Sequence, residues 1–177
     1  MKNLILKNYF FVNNPQGGKV ESFYEWLIKL KLHGKQSRAR SRFVKMITER
    51  TREIDEERIK LAEQYSEKNK EGKVIYLTAK KDKDGKDVET TNKQEAASVK
   101  ISDLIAFNKD YADYLNEDLT LDITPETQET IYGVRDILLN TEEEFEGVMA
   151  MRYDEICEAF EGIKKVDEAE KKAEGKK

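Results

Sequence analysis

The chain has 177 residues, of which 38% are charged and 38% hydrophobic, and it contains 9 Gly and only 2 Pro. This composition is typical of a helix-rich protein, and the length predicts a single domain over residues 1–166. The apolar runs are all shorter than the roughly 18 residues of a membrane-spanning helix, so no membrane contact is expected. One cysteine excludes an internal disulfide framework, and one histidine excludes most zinc sites.

The N-terminal segment predicts a strand followed by a short helix. The run 4–12 is apolar and β-prone, and a turn over 13–18 that contains Pro and paired Gly ends it. Apolar residues at helical spacing predict a short helix over 20–32, with Gly34 as its C-terminal cap.

The next segment predicts a long helix with a narrow apolar stripe. Ser37 is the expected N-terminal cap of a helix that runs over 38–69. The stripe holds about one apolar residue per turn. Its members are Phe43, Ile47, Ile54, Leu61 and Tyr65. Such a stripe is typical of a coiled-coil-like seam, which leaves room for a helix from a second copy of the chain.

The middle of the chain predicts a β-hairpin and a helix. Asp84 and Gly85 form a turn pair between two strands, over 74–78 and 87–91. A helix is expected over 102–116, because its apolar residues return every three or four positions.

The C-terminal part predicts a strand, two helices and a tail. Alternation over 118–124 predicts the strand, and Thr124–Pro125 begins a helix. Thr141 and Glu144 match a capping box for the last helix. The Lys- and Glu-rich tail over 167–177 is expected to be disordered. Together the elements predict an α+β fold, mainly α: a long-helix bundle with a short N-terminal strand and a β-hairpin.

Charge is distributed unevenly along the sequence. From Lys29 to Arg52 there are nine basic residues and one acid, whereas Asp110 to Glu161 contains sixteen acids and two bases. Bases spaced three or four residues apart share one face of the long helix. They are Lys35, Arg38, Arg42 and Lys45. This face suits nucleic-acid phosphates or an acidic protein, although the acidic pI argues against a general DNA binder. The alternative is intramolecular, with the basic helix start lying against the acidic C-terminal helices.

No combination of residues identifies a catalytic centre. His33 lacks the Gly-x-Ser-x-Gly elbow of a hydrolase, and Cys157 has no sequence-local cause for a lowered pKa. Gly17–Lys19 lacks the leading Gly and the following Ser or Thr of a P-loop. The acidic clusters are more typical of solvated helix faces than of a cation site. The sequence therefore predicts a protein that is not an enzyme and that holds neither cofactor nor metal.

A motif at the start of the long helix carries a resemblance to a known family. The motif is Leu-x-Leu-x-Gly-Lys-x-Ser-Arg-Ala-Arg-x-Arg/Lys-Phe. The matching residues are Leu30, Leu32, Gly34, Lys35, Ser37, Arg38, Ala39, Arg40 and Phe43. In this motif the chain resembles short proteins of unknown function from phages and prophages of Gram-positive bacteria. The later hairpin and third helix fit that family more generally, while the arm over 9–18 is longer and the Lys/Glu tail is additional.

The same motif also has a local explanation. Gly34 allows the turn between two helices, Ser37 caps the second one, and Ala39 permits the close approach of a neighbour. Arg38 and Arg42 would hold acidic groups of the last helix. A corner that specifies the fold therefore explains the motif as well as a binding site does.

The resemblance implies a phage protein located in the host cytoplasm or the virion. Small phage proteins without catalytic motifs are mostly virion parts, assembly factors or inhibitors of host proteins. We therefore expect a non-enzymatic protein that acts through protein–protein contacts as a virion structural or assembly component. Its partners would be phage or host proteins, and a second copy of the chain is a further candidate.

Two alternatives stay open. The first is an inhibitor of a host defence or nucleic-acid enzyme, whose acidic C-terminal face includes Asp110, Asp113 and Glu117. The second is nucleic-acid binding through the basic segment 29–52, which ranks below protein contacts because the chain as a whole is acidic.

Overall fold

The computed structural model describes residues 2–13 and 21–174, with the side chains of the last helix described as far as residue 163. Five α-helices and five strands lie in these ranges, which confirms the α+β, mainly α, class. The helices are α1 (Phe23–Lys29), α2 (Gly34–Gln64), α3 (Leu104–Leu115), α4 (Gln128–Leu139) and α5 (Gly147–Glu174). The strands are β1 (Lys2–Lys7), β2 (Tyr76–Lys81), β3 (Asp87–Thr90), β4 (Ser98–Val99) and β5 (Asp118–Ile123).

The chain divides into two compact units. Unit 1 comprises Met1–Thr51 and Asn116–Lys177, and unit 2 comprises Arg52–Leu115. Helix α2 therefore contributes its first part to unit 1 and its second part to unit 2. The single domain over residues 1–166 stays a prediction. The disorder expected for the tail over 167–177 also stays a prediction, because the side chains there lie outside the described residues.

A two-stranded antiparallel sheet lies in unit 1. β1 pairs with β5, so that Leu4 lies opposite Leu121 and Leu6 lies opposite Leu119. Leu4 and Leu6 are buried, whereas Ile5 between them is exposed, because successive side chains of a strand point to opposite faces. β1 also packs against α5, which places the inner face of this sheet in the core.

Aromatic rings join three helices in the core of unit 1. Phe43 of α2 and Phe160 of α5 are both fully buried, with ring centroids 6.0 Å apart. Phe23 of α1 lies 6.1 Å from Phe43 and 6.2 Å from Phe160, in edge-to-face arrangements that aromatic pairs prefer. The predicted stripe of α2 is thus real, but its Phe43 and Ile47 are already covered within the chain. A helix from a second copy has no access to that part of the seam.

Unit 2 contains a three-stranded antiparallel sheet in the order β3-β2-β4. The predicted hairpin between β2 and β3 is confirmed. Its turn is held by the Asp82 carboxylate, which accepts hydrogen bonds from the backbone N–H groups of Asp84 and Lys86, both at 2.9 Å. Gly85 has φ +78°, a conformation that glycine adopts without steric cost. The short strand β4 was not predicted, because two residues carry no readable periodicity.

A polar contact in unit 2 is centred on Glu63. Its Oε1 accepts a hydrogen bond from the Tyr76 hydroxyl at 2.8 Å and lies 2.5 Å from Lys93 Nζ. Burial raises the pKa of the Glu63 carboxyl, but the hydrogen bonds from Lys93 and Tyr76 outweigh this and leave the pKa below 4.5. Burial, together with the same hydrogen bond, raises the pKa of Tyr76 to about 12.

We expect Glu63→Gln to reduce the acid sensitivity of the fold. A carboxyl whose pKa is lowered on folding stabilises the native state above its unfolded pKa, and this contribution is lost as the pH falls through the native pKa. The free energy of unfolding of the wild type should therefore fall further than that of Glu63→Gln when the pH is lowered below about 4.5. Asp84→Asn at the hairpin turn is the matched control, and an equal pH response in Glu63→Gln and wild type would contradict this assignment.

Several predicted boundaries near the N-terminus are wrong for identifiable reasons. The first strand ends at Lys7, and Asn8–Phe11 form a short 3-10 turn. Phe10 and Phe11 are both buried, which an alternating strand does not allow. Asn8 is also buried, and its backbone N–H donates to the Glu117 carbonyl at 3.1 Å.

The predicted helix ends around the motif are also corrected. α1 ends at Lys29, and Gly34, with φ +51°, begins α2 instead of capping α1. Ser37 lies inside the first turn of α2 and is not its cap. At its other end α2 stops at Gln64, because residues beyond it leave the helix to bond with the sheet segments of unit 2, as in the hydrogen bond from Glu67 N–H to the Lys100 carbonyl.

The predicted capping box at Thr141 is wrong. α5 begins at Gly147, and the segment 141–146 is not helical. Tertiary contacts explain the difference. Phe145 stacks on Tyr153 with ring centroids 4.3 Å apart, and Glu143 accepts a hydrogen bond from Trp26 Nε1 at 2.7 Å. These contacts hold the segment across α1 and α5 in a conformation that local capping rules do not anticipate.

Candidate binding surface

The basic residues predicted to form a site do share one exposed face of α2. We call Lys35, Arg38, Arg42 and Lys45 the basic face; all four side chains are exposed. Their spacing of three or four residues places them above one another on the helix surface. Phe43 and Ile47 of the same helix point into the core, so the basic face is turned toward solvent.

The intramolecular alternative accounts for one of these four charges. Arg42 Nη1 lies 3.2 Å from Glu129 Oε2 of α4. Both side chains are largely exposed, at 59% and 78%, and an exposed ion pair of this kind contributes less than about 1 kcal/mol. Within residues 2–13 and 21–163, no carboxylate pairs with Lys35, Arg38 or Lys45. The acidic helices therefore do not neutralise the basic face as a whole.

Four of the other bases of the segment 29–52 have partners within the chain, whereas Lys31 is exposed. Lys29 pairs with Glu21, and Arg52 pairs with Glu56. Arg50 Nε donates to the side-chain oxygen of buried Asn8 at 3.1 Å. These contacts separate the structural bases from those that remain exposed to a partner.

Arg40 has a structural role that sequence reasoning missed. Its Nη1 donates to the Leu30 carbonyl at 2.7 Å and to the Ile28 carbonyl at 3.3 Å, while Nη2 lies 3.4 Å from Ser37 Oγ. The guanidinium thus satisfies carbonyls at the C-terminal end of α1, a place where a helix leaves acceptors unpaired. Helical spacing in the sequence places Arg40 off the basic face, but it does not indicate that the side chain caps the C-terminal end of α1.

We expect Arg40→Ala to destabilise the corner between α1 and α2 by about 1–3 kcal/mol, because the carbonyls lose charge-assisted donors. Arg38→Ala should change the free energy of unfolding by less than about 0.5 kcal/mol, since its exposed side chain lies away from such contacts. Urea denaturation of both variants tests the difference. Equal stability of the two would refute the capping role.

The acidic residues singled out from the sequence fall in different surroundings. Asp110, on α3, is half-buried and accepts a hydrogen bond from the Tyr65 hydroxyl. This hydrogen bond is the main cause that raises the pKa of Tyr65, and burial adds to it. Asp113 is exposed on the same helix. Glu117 is exposed and belongs to unit 1, whereas Asp110 and Asp113 belong to unit 2.

A denser acidic surface lies on α5. We call Asp154, Glu155, Glu158 and Glu161 the acidic face; all four side chains are exposed. Ile156 and Phe160 of the same helix are buried. In the part of α5 whose side chains are described, the four carboxylates have no cationic partner. The only basic residue there, Arg152, is buried and turned elsewhere.

Arg152 is a structural residue of the core. Its Nη1 donates to the Val12 carbonyl at 3.1 Å and to the Glu21 carbonyl at 3.2 Å, and its guanidinium lies 5.7 Å from the centroid of the Tyr9 ring. Burial lowers the pKa of this guanidinium. The side chain thus ties α5 to the N-terminal segment, and it also lines a small apolar pocket together with Trp26 and Tyr153.

The surroundings of Cys157 oppose ionisation of its thiol, and the residues Gly17–Lys19 lie outside the described ranges. Burial raises the pKa of the Cys157 thiol, and the charges of Glu161 and Asp154 raise it further, against a hydrogen bond from Tyr153 that lowers it. Because the thiolate is the nucleophilic form, this surrounding disfavours cysteine chemistry. His33 is exposed. Over the described ranges, no group of three or more His, Cys, Asp or Glu side chains is placed to hold a metal ion.

Comparison of the chain with family profiles, curated proteins and solved structures finds no match. None of the helices described here has an apolar stretch long enough to span a membrane.

Proposed function

We infer that the protein acts without catalysis, through contacts with other proteins, as a structural or assembly component of a phage. The observation that carries this proposal is the basic face of α2. Lys35, Arg38 and Lys45 are exposed and unneutralised within the described part of the chain, whereas Lys29, Arg40, Arg50 and Arg52 of the same segment have partners within the chain. The motif resemblance supplies the phage setting, in the host cytoplasm or the virion.

An acidic protein surface suits the basic face better than a nucleic acid does. The chain carries a net charge of −4, and its acidic face lies on the same unit as the basic face. A long polyanion would be attracted by the basic face and repelled by the acidic face. General nucleic-acid binders carry a strongly basic surface. A compact acidic patch of matching size meets the basic face alone.

The test is an affinity pull-down of tagged protein from infected host lysate treated with nuclease and analysed by quantitative mass spectrometry. Wild type should retain phage structural or assembly proteins, and Arg38→Glu/Lys45→Glu should lose them. Lys83→Glu/Lys86→Glu, at the hairpin turn, carries the same change of charge and should behave as wild type. Partners that are recovered only without nuclease would contradict the proposal in favour of nucleic-acid binding.

A second candidate is supported by the acidic face of α5. Its four exposed carboxylates support an inhibitor that presents negative charge to a host defence or nucleic-acid enzyme. Asp110 supports it less, because its carboxylate is already engaged by Tyr65. Recovery of a host nuclease by wild type, but not by Asp154→Lys/Glu158→Lys, would favour this function over assembly.

A further inference from the structure

The basic and acidic faces lie on opposite sides of one folded unit. On an α-helix each residue is rotated by about 100° from the last. Arg38 and Lys45 therefore lie on the side of α2 away from Phe43, with Arg42 at the edge of that side, and Asp154 and Glu158 lie away from Phe160 on α5. Since Phe43 packs against Phe160 in the core, the buried sides of the two helices meet and their charged sides point outward in different directions.

The two faces also match each other in their number of charges. Each presents four side chains of one sign, the basic face along about three turns of helix and the acidic face along about two. Each is exposed, and the described residues leave the basic face with the single weak pair between Arg42 and Glu129. A surface and its electrostatic complement are thus present on the same chain, but they cannot meet within it, because the core separates them.

We propose that copies of this chain associate head to tail, with the basic face of α2 in one copy against the acidic face of α5 in the next. The proposal deepens the assembly function and rests on it, since it names a second copy of the chain as one of the protein partners. Such a contact joins two different surfaces, and a heterologous contact of this kind builds rings or filaments instead of closed symmetric dimers.

Opposite charge is what selects a second copy as the occupant. The apolar stripe of α2 is buried at Phe43 and Ile47. In unit 1 these residues therefore cannot form an apolar contact with a second copy. The association depends on exposed charges, and it is therefore weakened by salt, which screens such charges over about 10 Å at 0.1 M ionic strength.

The experiment is sedimentation velocity of nuclease-treated protein over a range of concentrations at low and high ionic strength. Wild type should form species larger than a monomer at low ionic strength and return to monomer at high ionic strength. Arg38→Glu/Lys45→Glu and Asp154→Lys/Glu158→Lys should each weaken the association about tenfold or more, because like charges then face each other. Circular dichroism verifies that each variant is folded.

The charge swap provides the decisive comparison. A mixture of the two reversed proteins should associate, since each face then finds its complement on the other chain, and the quadruple variant should associate with itself. Lys83→Glu/Lys86→Glu is the control for a change in net charge and should associate as wild type. Either a monomeric wild type at low ionic strength or no recovery of association in the mixture would overturn the proposal.

These outcomes are distinct from failure of the assembly function. A monomeric protein that still captures phage structural proteins would overturn only the head-to-tail contact. A protein that self-associates but captures no phage protein would retain the contact and overturn the assembly function. Association that disappears after nuclease treatment would assign the basic face to nucleic acid and overturn the contact between copies.

Discussion

Phe43→Ala should lower the free energy of unfolding by about 3–5 kcal/mol, the loss typical of removing a fully buried aromatic ring. Phe43 has no exposed surface, and its ring meets both Phe23 and Phe160 at centroid distances of 6.1 and 6.0 Å. Three helices therefore lose their common contact at once. Neighbouring rings cannot fill the space without leaving their own edge-to-face arrangements, so most of the cavity should persist.

Denaturation followed by the fluorescence of Trp26 measures this loss directly. Trp26 is the only tryptophan, it is buried, and it stacks on Phe23 with ring centroids 5.9 Å apart. Phe43→Leu should cost less, because it keeps most of the apolar volume, and it supplies a folded variant if Phe43→Ala fails to fold. Val44→Ala, at the next and less buried position, is the matched control. A loss no larger than that of Val44→Ala would contradict the central place of Phe43.

The elements that the sequence predicts correctly are those in which apolar residues recur at a regular spacing along the helix or strand. The stripe through Phe43, Ile47 and Ile54 lies on one face of α2 as predicted, although it is buried within the chain instead of open to a second helix, and the alternation over 118–124 corresponds to β5. In each element one face packs in the core and the other faces solvent, so apolar residues recur in the sequence at a regular spacing. The same reasoning predicted that the basic residues share a face, because that also follows from helical spacing alone.

What sequence reasoning missed depends on contacts between residues far apart in the chain. The capping box at Thr141 satisfies the local rule, yet Glu143 is held by Trp26 and Phe145 by Tyr153. Arg40 carries the same charge as Arg38 and differs only in reaching the carbonyls of Leu30 and Ile28. Local propensity is worth a few tenths of a kcal/mol per residue, whereas burial of an aromatic side chain is worth several times more, so tertiary packing determines these boundaries.

The close approach predicted at Ala39 is confirmed by its neighbour on α4. Ala39 is buried, and a Cβ built onto Gly133 would lie 2.5 Å from the Ala39 Cβ. Carbon atoms in contact normally lie about 3.5–4.0 Å apart. Neither methyl group has a torsion that could turn it away, so α2 and α4 would have to move apart to accept the extra carbon.

Gly133→Ala should therefore destabilise the protein although alanine is the better helix former. Helix propensity favours alanine by about 1 kcal/mol, but forcing a carbon into a packed contact costs about 1–3 kcal/mol, and the 2.5 Å distance places this case toward the upper end. Gly162→Ala on α5 is the matched control, because a Cβ there meets nothing within 4 Å. It should stabilise by about 0.5–1 kcal/mol, the propensity gain alone.

A double-mutant cycle separates the contact from propensity. If the clash with Ala39 is the cause, Gly133→Ala should cost less when introduced together with Ala39→Gly than it costs alone, with a coupling of about 0.5–3 kcal/mol. Urea denaturation of the two single variants and the double variant measures this coupling. Stabilisation by Gly133→Ala equal to that by Gly162→Ala would show that α2 and α4 do not approach closely at this position. Close packing between helices would then not explain the small residues of the motif.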